Sequence, residues 1–150
     1  MRKPLLYWAL AVASAIAVAA CDEKLSDLTG PSPNLQPTFS SIQHDIFETT
    51  DTAGRTACVQ CHTNVGRNPA GGLNLLSGSS YAALVGARSL LKPSATRVIA
   101  GDPANSYLVQ KLEGTAGIVG LRMPFNGPPY LTDGQMLVIK RWIEVGAPNN

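Results

Sequence analysis

Five consecutive residues, Cys58-Val59-Gln60-Cys61-His62, hold the densest chemistry in the chain. Two thiols and an imidazole in this order can all point at one flat object if the stretch turns helically. Residues three and four apart share a helix face. The C-x-x-C-H pattern is the attachment signature of a c-type haem. Cys58 and Cys61 would bond the two vinyl groups on one porphyrin edge, and His62 would rise to the iron as proximal ligand.

Other chemistries fit parts of the pattern. A structural zinc ion needs four ligands, and His44 would have to join Cys58, Cys61 and His62, with the adjacent Cys61 and His62 crowding one ion. A redox dithiol expects a strand–helix–strand setting, which this stretch lacks. A structural disulfide is compatible with export but leaves His62 without a role.

The elements that must position these residues come next. With 150 residues, the chain has room for one domain and a tail. It opens on Met1-Arg2-Lys3 and an apolar run from Leu5 to Val18, too short for a comfortable membrane span. Val18-Ala19-Ala20-Cys21 ends this leader with small residues before the cut. Residues 1–20 therefore read as a signal peptide. Excluding Arg2 and Lys3 leaves ten basic against ten acidic residues. A near-neutral chain offers no basic stripe for nucleic acid. The 14 glycines and 11 prolines, with few aromatics, suit a loop-rich fold wrapped around a cofactor.

Residues 21–37 read as a flexible linker, charged at Asp22-Glu23-Lys24 and turn-forming from Thr29 to Asn34. The haem domain is expected over 38–150. A first helix is predicted from about Ser40 to Thr49, with Phe39, Ile42, Ile46 and Phe47 on one side. Turn formers from Asn64 to Gly72 follow the motif, and a carbonyl in that stretch is expected to accept the Nδ1 proton of His62. Leu73 and Leu75 suggest a short extended piece. Ser79-Ser80 caps a brief helix stopped by Gly86. Asp102-Pro103 reads as the N-cap and first residue of another helix, ended by Gly114. Thr132 and Gln135 form a capping box for a last helix bearing Met136, Ile139, Trp142 and Ile143, with Gly146 and Pro148 beyond it.

Met123 lies between Arg122 and Pro124 in a predicted loop before that last helix. Its thioether is the expected second axial ligand, a soft donor that raises the haem potential. Met136 is expected in the core. His44 is the rival ligand, placed off the apolar face of the first helix and expected to be solvated.

The helix before C-x-x-C-H, the G-G-L-x-L stretch at Gly71, R-V-x-x-G-D-P-x-x-S-Y-L at Arg97, R-M-P-x-x-G-P-P at Arg122 and the terminal W-I-x-x-G-A helix resemble the monohaem class I cytochrome c domains of bacteria. The similarity runs over about residues 38 to 147. It implies an all-α fold around one covalent haem c. The first and last helices would cross near a haem edge, with Phe39 or Phe47 meeting Trp142. It implies electron transfer between a redox donor and an acceptor, with His62 and Met123 on iron, rather than an enzyme activity. Arg97, Arg122 and Tyr130 are candidate contacts to the haem propionates. The segment from His62 to Met123 is longer than in the smallest members. Cys21 resembles the lipidated first residue of a bacterial lipoprotein, which would tether the domain to a membrane of the cell envelope, on its periplasmic or outer side. Alternatives are a haem-bearing subunit of a larger complex or filament, and an open-site haem sensor or enzyme if Met123 does not ligate.

Overall fold

The protein is described here from a computed structural model, which covers residues 35–51 and 53–150. The leader, Cys21 and most of the 21–37 linker lie outside the described residues. Core contacts begin ahead of the predicted start at Thr38, because Leu35 is buried and Gln36 N–H donates to Ser41 Oγ.

The first helix, α1, comprises an α-helical turn, Phe39–Ser41, and wider π-helical turns, Ile42–Phe47. Thr38 is extended, and its hydroxyl accepts from Ser41 N at 3.3 Å, a side-chain cap. Phe39 N–H and Ser40 N–H donate to the Oδ1 and backbone carbonyl of Asn150, at 3.0 and 2.8 Å. The widened turns close with Glu48 N donating to Gln43 O at 3.0 Å. The Thr49 hydroxyl takes the His44 carbonyl at 2.6 Å, so the helix stops at Phe47, short of the predicted Thr49. Phe39, Ile42, Ile46 and Phe47 are buried, as the spacing predicts. Gln43 is buried too, which the spacing does not show.

Helix α2 is Ser80–Leu84. Neither serine caps it: the Ser80 hydroxyl donates to Gln43 Oε1 at 2.5 Å, tying α2 to α1. Helix α3 is Tyr107–Glu113, beginning later than Asp102-Pro103 predicts. The Asp102 carboxylate holds a turn instead, accepting from Asn105 N at 3.1 Å and Asn105 Nδ2 at 2.7 Å. Ser106 precedes the helix, its hydroxyl accepting from Ile99 N and donating to Asp102 O, each at 2.8 Å. These local side-chain bonds compete with helix extension. Helix α4, Asp133–Glu144, carries the predicted capping box: Gln135 N donates to Thr132 Oγ1 at 3.2 Å and Thr132 N to Gln135 Oε1 at 3.0 Å.

The core joins the first and last helices of the described residues. Phe39 lies 5.3 Å from Trp142, ring to ring, and Tyr81 meets Phe39 edge-on at 5.1 Å. The Trp142 indole donates to Pro148 O at 2.9 Å, and Tyr81 OH to Ala147 O at 2.9 Å. Truncating a buried aromatic costs about 3–5 kcal/mol, so this contact is a main tie between α1 and α4. Among the described residues there are no strands, only isolated bridges such as Val85 with Val98. Leu73 and Leu75 belong to irregular chain. The described architecture is helical, joined by long ordered loops. No helix of the described residues is long and apolar enough to cross a membrane.

Candidate haem site

Cys58–Gln60 form one 3-10 turn. Cys61 N and His62 N both donate to the Cys58 carbonyl, at 3.2 and 2.9 Å. This places His62 one turn beyond Cys58. Neither thiol is in a disulfide; Cys61 is exposed and Cys58 half-buried. The following loop straps the turn from outside. Ala70 N donates to Cys61 O at 3.1 Å and Leu75 N to His62 O at 2.8 Å. His62 Nδ1 lies 3.2 Å from Leu73 O, one residue past the stretch in which sequence places its acceptor. Gln43 Nε2 donates to Leu75 O at 2.8 Å. The buried amide of α1 therefore holds the loop that holds His62. Nε2 of His62 has no protein partner among the described residues.

Cys58, Cys61, His62 and Met123 all line one cavity of about 480 Å³. Its walls are mainly apolar and include Phe47, Leu75, Leu84, Leu108 and Leu112. Arg97 also borders it, donating to Ala83 O at 2.9 Å and to the carbonyls of Gly71 and Gly72 at 3.3 and 3.2 Å. Two other residues assigned to the propionates lie elsewhere. The Arg122 guanidinium sits 3.9 Å over the Tyr130 ring, its Nε donates to Leu112 O at 2.7 Å, and neither residue is among those lining the cavity. His44 is also outside the cavity lining: its side chain is 79% exposed and its Nδ1 pairs with Asp45 at 2.9 Å. Met136 is buried on α4.

Burial holds the His62 pKa below its ordinary value. The Leu73 and Ala70 carbonyls oppose the shift, and the charges of Arg97 and Lys111 add to it. The neutral imidazole that results is the form that ligates metal. Burial pushes the Cys58 thiol up, against the charge and hydrogen bond of Arg55. Arg55 itself is buried. Its Nε donates to Asp51 Oδ2 at 3.0 Å and its Nη1 to Ile46 O at 3.2 Å, and Nη1 lies 3.8 Å from Cys58 Sγ. Sequence reading missed Arg55, although its spacing from Asp51 is that of a helical ion pair. It missed Lys111 and Tyr107, which also line the cavity. Those two sit on α3, whose cavity face lies four residues beyond the expected helix start.

Comparisons with protein-family models, curated proteins and solved structures return no match. The cavity's own chemistry fits a haem. Its walls suit an apolar macrocycle and its volume falls in the range of ligand pockets, about 300–1,000 Å³. The residues that carry paired thiols, an imidazole and a thioether all line it. Among the described residues no group of three or more His, Cys, Asp or Glu gathers to hold a metal ion by protein donors alone.

Proposed function

We propose that the chain is an exported, membrane-tethered monohaem c-type cytochrome that carries single electrons between redox partners. The observation that carries this reading is the convergence of Cys58, Cys61, His62 and Met123 on one apolar cavity. In this reading the fold is that of the class I cytochromes c, with α1 and α4 packed through Phe39 and Trp142.

Cys58 and Cys61 would hold the haem as thioethers, and His62 and Met123 would ligate its iron. When bound, the haem supplies an iron that cycles between ferrous and ferric states. The chain does the rest. The contact of Leu73 O with Nδ1 would fix the His62 ring and leave Nε2 available to the metal. The apolar side chains of Phe47, Leu75, Leu84, Leu108 and Leu112 would keep water from a bound haem and, together with the thioether, would favour its reduced state. With His62 and Met123 both held by the chain, little would have to rearrange on transfer. Cys61 is exposed, so the attached edge would be the one partners approach. Of the three propionate candidates, Arg97 is the one that lines the cavity. Lipidated Cys21 and the linker would keep the domain at the membrane of the cell envelope.

An absorption spectrum of oxidised holoprotein tests the ligand set. The weak sulfur-to-iron band toward the red is expected, and reduced protein should bind carbon monoxide poorly. Covalent haem in a Cys58→Ala/Cys61→Ala variant would refute attachment at this motif.

A further inference from the structure

Helix α3 ends where its backbone is left with carbonyls to satisfy. Gly114, at φ 73°, turns the chain left-handed, and Gly114 N and Thr115 N both donate to Gln110 O, at 2.9 and 3.2 Å. The last carbonyls of any helix lack intrahelical partners. Here the Lys111 carbonyl accepts from Met123 N at 2.8 Å and the Leu112 carbonyl from Arg122 Nε at 2.7 Å. The returning loop is thus registered on the end of α3 at the candidate ligand itself.

The Lys111 side chain completes the arrangement. Its ammonium donates to Val119 O at 2.9 Å and also to Leu121 O. Val119 N donates to Tyr107 OH at 2.8 Å, one turn back on the same helix. Glycine is required at 114 for two reasons. A side chain would strain its backbone, and a Cβ there would come within 2.9 Å of the Arg122 stem. Ammonium-to-carbonyl bonds are stronger than neutral ones, and Lys111 makes two of them, both at the surface. Lys111 therefore touches the loop on both sides of its bend, by its head group at 119 and 121 and by its own carbonyl at 123.

We infer that Lys111 is a positioning residue for Met123: its ammonium clamps the 119–121 carbonyls so that the loop delivers the thioether to the cavity that His62 borders. This rests on the haem reading above and adds a residue to it. Lys111 would act through the loop and need not touch the iron.

The test compares holoprotein with Lys111→Met, which keeps the stem and loses the donors, and Lys111→Arg, which keeps donors at similar reach. In Lys111→Met the sulfur-to-iron band should fall while covalent haem is retained. The apparent carbon monoxide affinity of reduced protein scales with the fraction of open iron and should rise roughly tenfold. Amide exchange at Met123 in the same holoprotein should quicken by a similar factor. Lys111→Arg should restore all three toward wild type, which a general loss of packing would not allow. If Lys111→Met does not accumulate, Lys111→Gln, shorter and neutral, gives the same readouts. A variant without the ammonium that keeps the band, the gas affinity and the exchange rate of wild type overturns the assignment. Wild type that already lacks the band and binds carbon monoxide tightly would overturn the Met123 ligand reading instead, and the exchange rates would still report whether Lys111 holds the loop.

Discussion

Replacing Arg55 with Met should be among the most damaging single changes in the domain. The guanidinium is fully buried and its partner Asp51 is 6% exposed. The substitution removes the Nε bond to Asp51, the Nη1 bond to Ile46 O and a longer Nη2 bond of 3.4 Å to Thr49 O. Methionine fills much of the volume, so the main loss is electrostatic. A carboxylate remains buried without its countercharge, at a cost of about 3–5 kcal/mol. At about 4 °C per kcal/mol for a domain of this size, Tm should fall by about 12–20 °C. Asp51 Oδ1 also accepts from Ala53 N and Arg55 N, so its geometry survives in an amide. Arg55→Met/Asp51→Asn should therefore recover about half of the loss or more, since the uncompensated charge is gone. Thermal and denaturant unfolding of the three holoproteins, followed by circular dichroism, gives the numbers. A loss below about 1 kcal/mol in Arg55→Met, the level of an exposed ion pair, would refute the reasoning. So would a double variant no better than the single.

Met123→Ala should keep covalent haem, lose the sulfur-to-iron band, lower the potential and open the iron to carbon monoxide; unchanged spectra would remove Met123 from the ligand set. Its control, Met136→Leu, is a volume-conserving change in the core of α4 and should cost less than about 1.5 kcal/mol with no spectral effect. His44 should titrate above its ordinary 6.5, because Asp45 hydrogen-bonds it and supplies the opposite charge. The contribution of that pair is then fully present below 6.5 and lost as pH rises through the raised value; an NMR titration should show the elevated midpoint, and Asp45→Asn should bring it back. Cys21→Ser should move the protein from the membrane to the soluble exported fraction, and a variant that still pellets in high salt would contradict lipid anchoring at Cys21.

What could be read from sequence was what short-range chemistry decides. The Thr132–Gln135 capping box forms as its spacing requires, and Phe39, Ile42, Ile46 and Phe47 face inward because helical periodicity leaves little choice. The motif turn brings Cys58 and His62 within one helical step for the same reason. Sequence failed where a polar side chain had several possible partners. Asp102 has the composition of a helix cap but satisfies Asn105 instead. Arg122 lies over Tyr130 and bonds Leu112 O, partners that its neighbours in sequence do not indicate. Gln43 looks like a surface residue between apolar neighbours, and its burial follows from Leu75 O, thirty-two residues away. Such pairings depend on tertiary neighbours that no local pattern encodes.

The hydrogen bonds around His62 and those around Met123 scarcely meet. The first set runs from Gln43 through Leu75 to the motif turn, the second from α3 to the returning loop. Among the described residues, one hydrogen bond joins 117–131 to 55–75, from Asn126 Nδ2 to Thr56 Oγ1 at 3.0 Å. The two walls of the cavity are thus hydrogen-bonded largely within themselves, although Leu75, Leu112 and Leu131 share one apolar core. Because both walls line the same cavity, changes on the two sides should still couple, by about 0.5–3 kcal/mol, rather than simply add. A different loop between Gly114 and Leu131 would leave the hydrogen bonds that hold His62 in place, so the chemistry of one side of the cavity could change provided the new loop still filled the apolar core at Leu131.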